Sequence, residues 1–400
     1  MLTLCAQLRI EIVTKFDEDF AISQETWREF QGEKVKSEDL LALDAGPLVE
    51  AWHRYFAEHQ VSEARRWYLT LYKEFMQGKS VLELGSGLGF DGIFFLQNGC
   101  AKWTFSDIVN QNLEVIKLIC KYKGYQSDFV LINSDLRCFD KLNTFDVVWA
   151  NASFMNMRFE GAQAECGAVL PHLKSGGRWI ECVRPREHWI ANGMPSFDGK
   201  GKLGQSRVEW YDETRLKRRL LPASMSTILN FNFHDYWFKW VDFELVSNET
   251  LLEAMGTSEI EIYPGLSPPI LHGETHIDEK EGESYATTPG QIWEFAMSVE
   301  LGSSVANLQF AGGHVQGGYW IEVEIIVTRG VIGILLVTED FGKSVTADNL
   351  VRSGIYPETI LMSVPPQSPA RHLVFRNAEG GGSSEFAIKR INLIAPKRHR

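Results

Sequence analysis

Between Lys79 and Asp107 the chain reads KSVLELGSGLGFDGIFFLQNGCAKWTFSD, and its acids and glycines are spaced to hold a nucleoside. The apolar run Ser80 to Leu84 carries one acid, Glu83, and opens into Gly85-Ser86-Gly87-Leu88-Gly89. Glycines there permit a tight strand-to-helix turn and leave no Cβ in the way, so a ligand can lie directly on backbone N–H groups. A second strand, Lys102 to Ser106, ends in Asp107, at the distance where nucleotide-binding α/β folds place the carboxylate that holds two ribose hydroxyls. The acid two residues ahead of the glycines, and the lack of a P-loop lysine, argue against a dinucleotide or ATP site.

Further chemistry falls where later strands must end. Phe129 to Asn133 reads as a third strand running into Ser134-Asp135-Leu136, and Phe145 to Asn151 as a fourth. Asn151 and Ser153 then sit at the carboxyl edge, where open α/β sheets bind ligands. Arg178 to Val183 is a fifth strand, followed by a polar, glycine-rich stretch, Arg184 to Ser206, read as a substrate-binding insert. His188 in that insert and His234 in Asn232-Phe233-His234-Asp235 are candidates for a general base, since histidine titrates at about 6.5. Glu181, Asp212 and Asp235 are carboxylate options, and a structural role stays open for each; His188 is preferred because its loop follows the fifth strand. No spacing of carboxylates or histidines names a metal site.

VLELGSGLG resembles motif I of the class I S-adenosylmethionine-dependent methyltransferases, and FDVV resembles that family's fourth strand. The resemblance runs from Lys79 to Val246. It implies S-adenosylmethionine as cofactor, with Glu83 near its methionine end, Gly85, Gly87 and Gly89 beneath it, and Asp107 on the ribose. It also implies adenine contacts from Asp135 and the N–H of Leu136, and a place for Asn151 at the cofactor. Asp135 as a loop cap remains an alternative, as does a Rossmann-like domain with another ligand or none. VLELGSGLGFDGIFF also resembles the seven-strand lysine methyltransferases. Those place an acid and a tyrosine after the fourth strand, where this chain has Asn151-Ala152-Ser153-Phe154.

The elements that must position these groups follow from periodicity. Strand and helix alternate five times from Ser80, which requires a parallel sheet with right-handed crossovers. Asn110 to Lys123 is one crossover helix, with Leu113, Ile116 and Cys120 on a common face. A helix over Ala162 to Leu173 is expected to end at the glycine pair of Lys174-Ser175-Gly176-Gly177, and another to open at Asp212 and stop at Pro222. Thr227 to His234 and Phe238 to Val246 form an antiparallel pair closing a seven-stranded sheet. The leader, residues 1–78, reads as helical; its last helix, Ser62 to Met76, carries a stripe of Trp67, Leu71 and Phe75 flanked by Arg65, Arg66, Tyr68 and Tyr72.

The expected domains are a helical extension over 1–78, a methyltransferase-like α/β domain over 79–250, a linker over 251–290 and an all-β, jelly-roll-like sandwich over 291–396. The sandwich reading rests on alternation at Trp293 to Val299 and Ile321 to Ile325, then on runs near Val331, Thr359, Arg371 and Glu385. ARHLVFRN and FAIKRINLI resemble closing strands of carbohydrate-binding modules, although a structural or dimerising sandwich fits equally. Trp189, Trp210, Tyr211, Tyr236 and Trp237 make the acceptor region aromatic, as sugar rings or core packing would require.

Net charge is −12, which disfavours nucleic acid as primary partner. The six cysteines show no CxxC pair and suit reduced thiols in a cytoplasmic protein. No signal peptide and no run long enough to span a membrane is read. The expected function is methyl transfer to a hydroxyl of a sugar, nucleotide-sugar or glycan. Alternatives are a protein lysine methyltransferase and a non-enzymatic glycan-binding protein with a vestigial cofactor site.

Overall fold

A computed structural model describes residues 17–28, 35–202, 207–234, 237–247, 254–263, 269–280, 283–310, 313, 315, 318–380 and 382–398. The chain divides into two compact units, the first ending at Asn248 and the second beginning at Glu249.

The first unit opens with helices: α1 (17–28), α2 (Ser37–Leu41), α3 (Ala45–Val61) and α4 (Glu63–Tyr72). Its sheet is built from β1 (Ser80–Leu84), β2 (Lys102–Asp107), β3 (Ser127–Leu131), β4 (Phe145–Asn151), β5 (Leu173–Val183), β6 (Ser224–Phe233) and β7 (Phe238–Ser247). Strand order is β3-β2-β1-β4-β5-β7-β6, with β7 antiparallel to both β5 and β6. This is the class I methyltransferase sheet that the resemblance implied. The crossovers are α5 (Phe90–Gln97), α6 (Asn110–Lys123), α7 (Phe159–Val169), α8 (Arg186–Ala191) and α9 (Glu213–Arg219). β1 and β4 lie at the centre with almost every side chain buried, as expected for parallel strands covered on both faces.

Two expectations about these elements change. The helix before β5 ends at Val169, because Pro171 cannot continue it, and β5 begins already at Leu173. Gly176 and Gly177 therefore lie inside the strand, where the register against β4 shifts between Phe145 and Val147, instead of capping a helix. On α4 the buried face is Tyr68, Leu69 and Tyr72, whereas Leu71 is 51% exposed and Trp67 half-buried. The stripe was misplaced because tyrosines with hydrogen-bonded hydroxyls can be buried as readily as leucine. The Tyr72 hydroxyl donates to Asp242 at 2.7 Å and accepts from Trp240 Nε1 at 3.1 Å, tying the helix to β7.

The second unit is a sandwich of two antiparallel sheets. Its strands are β8 (Ala254–Tyr263), β9 (Ile270–Leu271), β10 (His276–Lys280), β11 (Glu283–Thr287), β12 (Phe295–Glu300), β13 (Tyr319–Arg329), β14 (Val331–Val337), β15 (Asn349–Arg352), β16 (Glu358–Val364), β17 (His372–Asn377) and β18 (Glu385–Arg398). One sheet runs β10-β11-β18-β13-β16, with β8 also on β18, and the other runs β15-β14-β17-β12-β9. Val299, Ile334 and Phe375 from one sheet share a core with Ile321, Ile391 and Leu393 from the other.

Residues 251–290, expected as a linker, instead contribute β8 to β11. Glycine and proline obscured these strands, and a dense acidic run covers β10, an edge strand that tolerates charge, and the start of β11 beside it. The helix Gly302–Phe310 (α10) was also missed.

Candidate functional site

The glycine turn, Glu83 and Asp107 converge on a cavity of about 740 Å³ at the carboxyl edge of the sheet. That volume falls within the range of small-molecule sites, roughly 300–1,000 Å³. The turn after β1 forms its floor. Gly85, Gly87 and Gly89 have φ of 70°, 53° and 73°, a region that side chains with a Cβ rarely adopt. A Cβ on Gly85 would stand 2.6 Å from Ser153 Oγ, whereas one on Gly87 would meet nothing within 4 Å. Gly85 thus serves close packing against the end of β4, and Gly87 presents bare backbone beside open space. Trp52 on α3 fastens the turn from outside by donating to Leu88 O at 2.9 Å.

Asp107 closes the turn from β2. Its carboxylate accepts from Gly87 N and from Val109 N, both at 2.8 Å. Burial lifts its pKa to about 6 despite those two bonds. Both oxygens keep lone pairs for further donors such as hydroxyls. Glu83 also lines the cavity; Trp103 Nε1 donates to it at 2.8 Å. Burial, and the charge of nearby Asp91, push the Glu83 carboxyl well above the ordinary range.

Asp91, in the first turn of α5, is the hub of a network that sequence reasoning missed. It accepts from His59 Nε2 at 2.7 Å, Tyr68 Oη at 3.1 Å, Trp149 Nε1 at 3.1 Å and Asn151 Nδ2 at 2.8 Å. Burial opposes its charge, but the His59 bond and neighbouring Arg65 win and hold its pKa at about 2. Arg65 donates to His59 Nδ1 at 2.5 Å. Since arginine only donates, His59 must accept at Nδ1 and carry its proton on Nε2, toward Asp91. Asn151 Nδ2 also donates to Tyr68 Oη at 2.8 Å, so only its carbonyl oxygen is left for a ligand.

Of the cofactor residues expected from sequence, Glu83, Gly85, Gly87, Asp107 and Asn151 line the cavity together. Gly89 lies beneath, against Ile116. Asp135 and Leu136 do not line it. Asp135 is exposed and paired with Arg137 Nη2 at 2.6 Å, accepting also from Arg137 N, which is the capping alternative.

The expected bases fare differently. His188, on α8, is 5% exposed and does not line the cavity. Its ring is wedged between Trp210 and Trp237, with centroids 5.1 Å and 4.2 Å away, and neither ring nitrogen has a hydrogen-bond partner among the described residues. Burial, aided by Arg184, lowers its pKa. His234 is exposed in the β6–β7 turn and away from the cavity. Asp212 caps α9 by accepting from Arg215 N at 2.7 Å. Glu181 is fully buried on β5, paired with Arg219. Asp235 lies outside the described residues. Trp210 and Tyr211 are buried core aromatics, so packing explains them.

Arg184, at the end of β5, does line the cavity. Its Nη1 donates to Trp237 O at 3.0 Å and its guanidinium lies over Phe238, yet no carboxylate among the described residues pairs with it. On the leader side, Ser23, Thr26 and Trp27 of α1 line the same space. Asp19 of α1 is held by Arg158 and Arg207, which also share Asp198. Among the described residues no group of three or more His, Cys, Asp or Glu side chains could hold a metal ion, and no helix is long and apolar enough to cross a membrane.

No family model matches this chain, and no curated protein matches it either. Solved structures do resemble it. Magnesium protoporphyrin IX methyltransferase from Synechocystis, with bound SAH, is 15% identical, with 57% of this chain and 99% of that one covered at a TM-score of 0.38. N-methyltransferase NodS from Bradyrhizobium japonicum, in complex with S-adenosyl-L-homocysteine, is 12% identical, covering 49% and 99% at a TM-score of 0.35. An O-methyltransferase family protein from Burkholderia thailandensis is 15% identical, covering 49% and 60% at 0.37. The functional reading therefore stands on the geometry of the cavity itself.

Proposed function

We propose that the first unit is an S-adenosylmethionine-dependent methyltransferase. The observation that carries this reading is the joint placement of the left-handed turn Gly85–Gly89, the buried Asp107 carboxylate and the Asn151 amide around one cavity at the edge of a 3-2-1-4-5-7-6 sheet. The residues fit the cofactor. Gly87 leaves backbone clear for close approach, and Asp107 keeps lone pairs for ribose hydroxyls. Asn151 retains an acceptor oxygen for an ammonium group. When bound, S-adenosylmethionine supplies an electrophilic methyl group, so the chain's task is to align an acceptor with it and exclude water.

Of the acceptors considered from sequence, a nucleotide-linked sugar is favoured. Support comes from Arg184, a half-buried cation on the cavity wall without a carboxylate partner among the described residues, which suits a phosphate. The appended sandwich is the second support, read as a carbohydrate-binding module. His188, His234 and Asp212 stand away from the cavity, so no general base is assigned and alignment carries the rate. Incubation with methyl-labelled S-adenosylmethionine and separate pools of sugar nucleotides, free glycans and proteins, read by mass spectrometry, tests the acceptor. Label in the sugar nucleotides is expected; label in protein alone contradicts the proposal.

A further inference from the structure

Glu165 is a buried acid that lines the cavity and has no hydrogen-bond or ion-pair partner among the described residues. It lies on α7 among Ala162, Cys166 and Val169, all fully buried, and is itself 4% exposed. It makes no hydrogen bond or ion pair with another described residue. The charged groups facing it are Arg219 on α9, Asp107 at the end of β2 and Glu181 on β5, with the thiols of Cys138 after β3 and Cys166 on its own helix. Arg219 is already paired with Glu181, so it offsets the charge of Glu165 only in part.

Its place along the sheet is informative. Asp107 ends β2, and Cys138 follows β3, the strand beyond β2 on the side away from the glycine turn. Glu165 therefore lies past the ribose acid, in the direction in which the base of a bound nucleoside must extend. Asp135, the acid that sequence reasoning gave to the base, is turned outward and held by Arg137.

We propose that Glu165 recognises the nucleobase, accepting a hydrogen bond from the exocyclic amino group of adenine and donating one to the adjacent ring nitrogen. This rests on the reading of the cavity as an S-adenosylmethionine site. A carboxyl group can both accept and donate only in its neutral form. Burial supplies that form: against Arg219, and with the charges of Asp107 and Glu181, it raises the pKa to about 7. Above that pH the ionised group has no proton to donate and faces the lone pair of the ring nitrogen, so binding weakens. Recognition by a neutral acid also disfavours a purine that carries a hydrogen in place of the amino group, because the carbonyl oxygen of the acid is then left without a donor.

The test is calorimetric titration of the full chain with S-adenosylhomocysteine and with its analogue in which a hydrogen replaces the amino group of the purine. Wild type is expected to prefer the adenine compound by about threefold to tenfold, the worth of one hydrogen bond. Its affinity is expected to fall as pH rises through about 7, where Glu165 loses its proton. Glu165→Gln keeps one donor and one acceptor without a titratable proton; it should retain the preference and lose the alkaline fall. Glu165→Ala should lose both. Unchanged affinity and unchanged preference in Glu165→Ala overturn the role of Glu165 and leave the cofactor reading standing. Failure of wild type to bind either compound overturns the cofactor reading itself, and this inference with it.

Discussion

The two units differ in the polar groups that they bury. In the sandwich, buried amides are satisfied by backbone carbonyls and by neighbouring side chains. Asn377 donates to Pro289 O, Gln291 O and Gly382 O and accepts from Ser384 Oγ at 2.9 Å, and Asn392 bridges Glu322 and Glu259. In the α/β unit the buried polar set includes a group of ionisable side chains, among them Glu83, Asp91, Asp107, Glu165, Glu181, Arg219 and Asp242. Asp91 and Glu181 are compensated, while Glu83, Asp107 and Glu165 stand with raised pKa values around the cavity. Burying a carboxyl without a counter-ion destabilises a fold, so its retention marks a place where a ligand completes the site.

The contrast can be broken by mutation. Removing the hub, Asp91→Ala, takes the acceptor from three buried donors and from the half-buried Asn151 amide and should cost about 3–5 kcal/mol of unfolding free energy, measured by denaturant titration. Asn377→Ala should cost about 2–3 kcal/mol by leaving buried carbonyls without donors. Its effect should appear only in the unfolding of the sandwich, with the affinity for S-adenosylhomocysteine unchanged. A loss of affinity in that variant would erase the distinction between the two units.

Protonation sharpens the comparison. The pKa of Asp107 is raised to about 6, so its charge is present above that pH and is lost as pH falls through it. Affinity for a ribose that donates two hydroxyl hydrogens should therefore decline below about pH 6, and Asp107→Asn should flatten that limb. The smallest effect is expected at His234, which is exposed in a turn. His234→Ala should change stability by less than about 0.5 kcal/mol and leave turnover intact. Loss of turnover there would restore it as a catalytic residue.

The α/β sheet was readable because parallel strands are continuous apolar runs closed by glycine, and because Glu83, the glycines and Asp107 are close in sequence. The hub was not, since His59, Tyr68, Asp91 and Asn151 come from four separate elements and meet only on folding. Glu165 did leave a trace: it falls at helical spacing between Ala162 and Val169, a lone acid on an apolar face. His188 misled because position in a loop says nothing of which way a short helix turns its side chain; here α8 turns it under Trp237. Strand β10 escaped because its alternation is diluted by charge, which an edge strand accepts, and β9 because it is two residues long.

The central claim is that Asp107 and the glycine turn hold a nucleoside. Isothermal titration of wild type and Asp107→Ala with S-adenosylhomocysteine tests it most directly. The account predicts saturable binding by wild type and an affinity at least about tenfold lower in the variant, from loss of charge-assisted bonds to the ribose. Equal affinity in the two proteins, or no binding by wild type, would contradict it.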